Sequence, residues 1–161
     1  MSMEKEKIKI FAFICTRQSD LSETTRNLVS YLYSCGAQVN LLVNKSSIFS
    51  AYSESYEENK HLISKNDILI FCHDDIEIFN DPKHFINVLV QWTDAAMSGF
   101  IGPAGTTYLG TDAVWWNHVN WGNGLHKGLV FHGKNELKTT YYGHYGQVVV
   151  LDGLFLACRA R

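Results

Sequence analysis

Three short apolar runs, spaced so that a helix fits between each pair, constrain the fold of this chain more than any other feature. Residues 8–15 (IKIFAFIC), 39–43 (VNLLV) and 68–72 (ILIFC) are too short for buried helices. Their nearly unbroken apolar character is what a strand covered on both faces requires. After the first run, Asp20 suits a helix N-cap with Glu23 as its capping-box partner. Leu21, Leu28, Leu32 and Cys35 then fall on one helical face, and Gly36 ends the helix. Residues 48–63 read as a second helix, with Tyr52 and Tyr56 one turn apart. Asp81 followed by Pro82 opens a third, whose predicted buried stripe is Phe85, Val88, Leu89 and Trp92. A fourth strand is expected to start at Phe100-Ile101 and to be cut short by Gly102-Pro103, with later strands at 129–132 and 147–151. The order β-α-β-α-β-α-β predicts an α/β fold with a mostly parallel central sheet and helices on both faces.

Ligands of such sheets bind beyond the carboxyl ends of the strands. The residues falling there are Thr16-Arg17, Asn44-Lys45-Ser46 and His73-Asp74-Asp75. The last group is the most informative, because an apolar strand runs straight into two adjacent carboxylates. An ionised carboxylate at such a place is costly without a partner. If the extended geometry persists, His73 and Asp75 project together and Asp74 points away. One reading is a solvated loop start or a pair of helix caps. The other is a site for a hard divalent cation held by oxygen ligands. Two carboxylates are too few for an all-protein cage, so such a metal would depend on a phosphate-bearing ligand.

Composition narrows the field. The 14 Lys and Arg against 16 Asp and Glu leave a net charge of -2, with no basic field for nucleic acid. No apolar stretch is long enough to span a bilayer, and MSMEKEKIKIF does not resemble a signal peptide. Cys15, Cys35, Cys72 and Cys158 lie far apart with no CxxC, which points to reduced, buried thiols and a cytoplasmic location. No P-loop, dinucleotide fingerprint or nucleophile elbow is present. A diphosphate ligand would need its charge neutralised, and a metal held at Asp75 could do it. Eleven of the twelve glycines lie between Gly99 and Gly153, so residues 1–98 and 99–161 read as dissimilar halves of one domain.

DILIFCHDDIEI resembles the strand and DxD-type motif of family 2-like glycosyltransferases with the GT-A fold. Three other stretches are similar to that family in the same order. IKIFAFICTRQ resembles the first strand and its nucleotide-contacting turn, VNKSSIFSAYSESYEEN the passage into an "AYN"-type helix, and VVVLDGLFLACR the segment lining the donor and acceptor site. GFIGPAGT beside the Trp-Trp pair resembles a subgroup with HDD in place of DxD. The resemblance implies transfer of a sugar from a nucleotide-sugar donor, of the UDP type, to a glycan or other hydroxyl acceptor. It also implies Mn2+ or Mg2+. Residues 1–98 would be the nucleotide-binding half and 99–161 the acceptor-side half. Asp75 would hold the metal, and His73 stands where the motif's first Asp usually does, so a ribose or a metal contact stays open for it. Asp74 is the variable middle residue. Thr16 and Arg17 would lie at the base, Asn44 where an Asp often reads it, and Tyr52 near the donor.

The general base for the acceptor hydroxyl comes, in that family, from an acidic motif well downstream of the segment matching LDGLFLACR. Only nine residues follow Asp152 here, so the expectation set by the resemblance is either a domain incomplete at its C-terminus or one that binds donor without efficient transfer. Asp152 is then either a substitute base or the cap of a turn at Gly153. Trp115 and Trp116 are either an acceptor platform or core aromatics. Residues 141–145 (YYGHY) read as a loop closing over the donor or a turn between strands. His118, His126, His132 and His144 lack metal-site spacing. Two rivals remain. A glycoside hydrolase would need Asp75 and Asp152 about 5 to 9 Å apart across a sugar. A non-catalytic nucleotide-sugar or glycan-binding module would need no base at all.

Overall fold

The computed structural model describes residues 8–95, 99–111, 114–116, 123–133 and 136–161. The elements, in order, are β1 (Ile10–Thr16), α1 (Glu23–Ser34), β2 (Ala37–Val43), α2 (Ile48–Asn59), β3 (Ile68–His73), α3 (Pro82–Thr93), β4 (Ala104–Thr106), β5 (His126–His132), β6 (Lys138–Gly143), β7 (Val150–Leu151) and β8 (Phe155–Arg159). They fall into two compact units, Met1–Gly99 with Ala157–Arg161, and Phe100–Leu156.

The first unit holds a sheet of order β2-β1-β3-β8. β1 is central and runs parallel to both β2 and β3. Ile10, Phe11, Ala12, Phe13 and Ile14 are all buried, as the unbroken apolar run predicts. Phe11, Phe13, Leu42 and Leu69 share one face with Ala51 of α2, and Tyr52, Tyr56, Phe71 and Cys158 pack against them. The Phe13 and Phe71 rings stack at 5.3 Å, and Tyr52 meets Phe71 edge-on at 5.1 Å. Strand alternation turns Ile10, Ala12, Ile14, Ile68, Ile70 and Cys72 to the opposite face. There α1 and α3 bury Leu28, Leu32, Phe85 and Leu89, and the Tyr31 and Phe85 rings meet at 5.6 Å.

The helix ends show which local signals win. The N-cap of α1 is Ser22, not Asp20; its Oγ accepts from the Thr25 amide at 3.1 Å. Glu23 thus sits in the first turn, where its charge favours the positive end of the helix, rather than closing a capping box. α2 ends at Asn59, whose side chain donates to the Ser55 carbonyl at 2.8 Å. A 3-10 turn, Lys60–Leu62, follows, so the expected single helix over 48–63 is split. α3 begins as predicted, with Asp81 accepting from the His84 amide and Pro82 in the first turn. Its buried stripe is Phe85, Leu89 and Thr93, while Trp92 is exposed. Thr93 can be buried because its hydroxyl donates to the Leu89 carbonyl at 2.6 Å.

Two polar devices close this unit. Buried Asp67 accepts from the Lys9 amide at 2.9 Å and the Ser64 amide at 2.8 Å, and its carbonyl accepts from the Ala160 amide. The Arg159 guanidinium pairs with Asp94 at 2.7 Å and donates to the Asn66 carbonyl.

The second unit departs from the expected architecture. Its sheet has the order β6-β5-β4-β7, and the β4–β5, β4–β7 and β5–β6 pairs are antiparallel. Of the strand expected at Phe100-Ile101 only a single bridge at Ile101 forms; the strand proper is Ala104–Thr106, beyond Gly102-Pro103, and it joins this antiparallel sheet. The place beside β3 is taken by β8. Among the described residues the fold is therefore α/β, with three helices, parallel pairs in the first unit and antiparallel pairs in the second. Close backbone approach explains part of the glycine-rich composition here. A Cβ on Gly105 would collide with the Val150 carbonyl, and one on Gly128, at φ +105, with the Pro103 carbonyl. Residues 141–143, expected in a loop or turn, are the last part of β6.

Candidate functional site at the carboxyl edge of the first sheet

Parallel pairing brings the ends of β1, β2 and β3 to one edge. Thr16 pairs with Val43, and Cys15 with His73. Thr16, Arg17, Asn44, His73, Asp74 and Asp75 are thereby gathered at or just beyond that edge. The Thr16 carbonyl accepts from the Asn44 amide at 3.0 Å, and its Oγ1 accepts from the Gln18 amide at 3.1 Å. These bonds fold both turns back at the sheet edge and leave Arg17 exposed. Asn44 has φ +53, a left-handed conformation that Asn tolerates better than most non-glycine residues. Its residue type therefore has a backbone reason apart from any ligand.

The geometry of the carboxylates differs from the expectation. β3 ends at His73, and Asp74 and Asp75 form a bend. Strand alternation therefore does not extend to Asp75, and it does not set His73 and Asp75 on a shared face. Burial falls along the segment from Cys72, buried, through half-buried His73 and Asp74, to exposed Asp75. Ile76 is buried again and anchors the chain just past the bend.

Two helices reach this bend. The Tyr52 hydroxyl, from α2, donates to the Cys72 carbonyl at 3.1 Å. The Thr25 hydroxyl, from the first turn of α1, donates to the Asp74 carbonyl at 3.2 Å. Tyr52 thus belongs to the site, but its proton is committed to the strand end. Burial pushes the Cys15 thiol and the Tyr52 hydroxyl above their ordinary values. Thr25 and Cys15 were not among the residues expected here. The sequence signal for Thr25 is its place three residues after a serine that caps a helix.

The candidates in the second unit have their own setting. Trp115 is buried against His126 at 5.9 Å and Tyr142 at 5.3 Å. His126 donates from Nε2 to the Trp115 carbonyl at 2.8 Å. Trp115 is thus a core aromatic, whereas Trp116, edge-on to it at 6.0 Å, is 58% exposed. Asp152 Oδ1 accepts from the Leu154 amide at 3.2 Å, an Asx turn in which Gly153 sits exposed. Burial, then the Asp152 charge, raises the Tyr142 hydroxyl above its ordinary value. His118 lies outside the described residues. Among the described residues, no group of three or more His, Cys, Asp or Glu gathers as a metal cluster, and no helix is long and apolar enough to cross a membrane.

A search of curated proteins returned no match. The model of a glycosyltransferase-like family matches residues 13–160, a span from within β1 to the residue after β8 that includes every edge residue named above. With nearly the whole chain matched, the protein belongs to this glycosyltransferase-like family.

Proposed function

We propose that this protein transfers a sugar from a nucleotide-diphosphate donor to a hydroxyl acceptor, through a GT-A-type donor site at the carboxyl edge of the first sheet. The observation that carries this reading is the meeting of Thr16, Arg17, Asn44 and the His73-Asp74-Asp75 bend at one sheet edge, in a chain of this family. Thr16 and Arg17 would flank the base and Asn44 would read it. His73 and Asp74 would face the ribose and diphosphate.

Asp75 would hold a divalent cation. It is the exposed carboxylate of the bend, and the described residues offer no closed ligand cluster. That donor set fits a Mg2+ or Mn2+ ion whose remaining positions are filled by water and phosphate. When bound, the ion would offset the charge that builds on the departing diphosphate. In the second unit, the exposed ring of Trp116 and the Asp152 carboxylate are the candidates for an acceptor contact and for the acceptor's base.

The test is a thermal-shift screen with UDP, GDP, dTDP and CDP, each with and without Mn2+. A ligand that binds the native state raises Tm by mass action. The expected result is a shift that needs both one nucleotide and Mn2+ and that disappears in Asp75→Ala. If Asp75→Ala kept that shift, the metal assignment would be wrong. If no nucleotide shifted Tm, the donor site itself would be wrong.

A further inference from the structure

We propose that Thr25 is a positioning residue for the donor site, setting the direction in which Asp75 presents its carboxylate. The inference rests on the metal role of Asp75 proposed above. The last ladder pair between β1 and β3 is Cys15 with His73, so sheet pairing with β1 orders nothing beyond His73. The Asp74 carbonyl belongs to the peptide group joining Asp74 to Asp75. That group is planar, so its orientation fixes where the Asp75 Cα lies. The bond from Thr25 Oγ1, at 3.2 Å, therefore holds the plane that carries the Asp75 side chain.

The hydrogen-bond directions follow from the acceptors. A carbonyl only accepts, so Thr25 spends its one proton on Asp74. The 2.8 Å contact between Ser22 Oγ and Thr25 Oγ1 must then have Ser22 as donor. Ser22 Oγ in turn accepts from the Thr25 amide at 3.1 Å. The chain Ser22 to Thr25 to Asp74 couples the cap of α1 to the bend, and each bond polarises the next. Thr25 is 1% exposed, which limits competition from water. On the other face of the sheet, Tyr52 holds the Cys72 carbonyl at 3.1 Å. The bend thus starts from a strand end held by α2, and the peptide plane joining Asp74 to Asp75 is held from α1. A metal site tolerates displacement of only about 0.5 Å, which makes that bond a determinant of affinity.

The experiment measures the Mn2+ concentration at half-maximal binding of whichever of UDP, GDP, dTDP and CDP binds. It compares wild type, Thr25→Val, Thr25→Ser and Asp75→Ala, with Tm and metal-free nucleotide binding recorded for each. Thr25→Val keeps the side-chain shape and removes the donor. It is expected to raise the Mn2+ requirement about tenfold, the scale of one lost hydrogen bond. Nucleotide binding without metal stays unchanged, and Thr25→Ser restores the wild-type Mn2+ requirement. Should the valine variant fail to fold, Thr25→Ala gives the same readout and is expected to move it the same way. A wild-type Mn2+ dependence in both Thr25→Val and Thr25→Ala, with binding lost in Asp75→Ala, would overturn the positioning role and leave the metal role standing. Unchanged metal dependence in Asp75→Ala would overturn the metal role and this inference with it.

Discussion

At the scale of single residues, several candidate positions carry both a backbone duty and a chemical one, and substitution can separate the two. Asn44 sits at φ +53. Thr and Val are poorly suited there, and a left-handed residue with a Cβ costs roughly 1–2 kcal/mol. Asn44→Val is expected to destabilise the fold by about that much, read as a shift in the urea midpoint. Asn44→Gly is expected to leave stability within about 0.5 kcal/mol, because glycine adopts this conformation freely. If Asn44 also reads the base, the glycine variant will lose discrimination among UDP, GDP, dTDP and CDP while keeping its stability. Asp152 offers a similar separation. Its Oδ1 accepts from the Leu154 amide, and an asparagine amide oxygen accepts the same bond. Asp152→Asn is therefore expected to keep Tm. If Asp152 takes the acceptor proton, turnover will fall by about 10²–10⁴. Unchanged turnover with a measured nucleotide-sugar donor would leave Asp152 the turn alone.

At the scale of elements, legibility divides between the units. Residues 10–14, 42 and 68–70 were readable as strands because burial on both faces leaves an apolar run with little else it can be. The start of α3 was readable because Asp81-Pro82 combines two signals that agree. The start of α1 was misread because two residues competed for the cap, and Ser22 also has a hydroxyl partner in Thr25. The antiparallel sheet was legible only in part: the strand expected at 129–132 lies within β5 and that at 147–151 overlaps β7, but the pairing was not readable. β4 has three residues, β7 has two, and their pairing is fixed by close backbone contact rather than by side-chain pattern. That contact makes its own prediction. A methyl on Gly105 would lie against the Val150 carbonyl and close to Val148 Cγ2 at 3.1 Å. Gly105 pairs with Lys127 on one side and Leu151 on the other, so the clash cannot be relieved without parting β4 from β7. Gly105→Ala is expected to cost more than about 3 kcal/mol, above the usual 1–3 for overpacking. Gly153→Ala is the control, since a Cβ there meets nothing within 4 Å, and its expected change is within about 0.5 kcal/mol. Equal stabilities for the two variants would show that the approach of β4 to β7 is not tight.

At the scale of the whole molecule, the edge residues were legible because parallel strands send their carboxyl ends to one side, and that follows from element order alone. The latches on the bend were not, because they join positions 49 and 20 residues apart through carbonyls that carry no sequence identity. The thiols show another property that sequence order hides. All four cysteines are free, and burial raises each of them, Cys72 to about 12 and Cys158 to about 11. The charged form is the thiolate, so the folded protein retains protons that the unfolded chain releases above its ordinary value of 9.0. Above that pH the unfolded state binds fewer protons, and stability falls as pH rises. The contribution is complete below pH 9 and is lost through pH 11 to 12. While Cys72 alone is the difference, the slope approaches about 1.4 kcal/mol per pH unit. Burial raises Tyr31 and Tyr52 as well, which extends the loss above pH 10. Urea midpoints between pH 7.5 and 10.5 are expected to be level up to about pH 9 and then to decline. Cys72→Ala is expected to begin lower, through its small cavity, and to decline less steeply. A wild-type midpoint that stayed level to pH 10.5 would mean that the thiols gain access to water in the folded protein. In that case a thiol-reactive dye would label them at pH 7.5 without denaturant, whereas buried thiols are labelled only as fast as the protein opens.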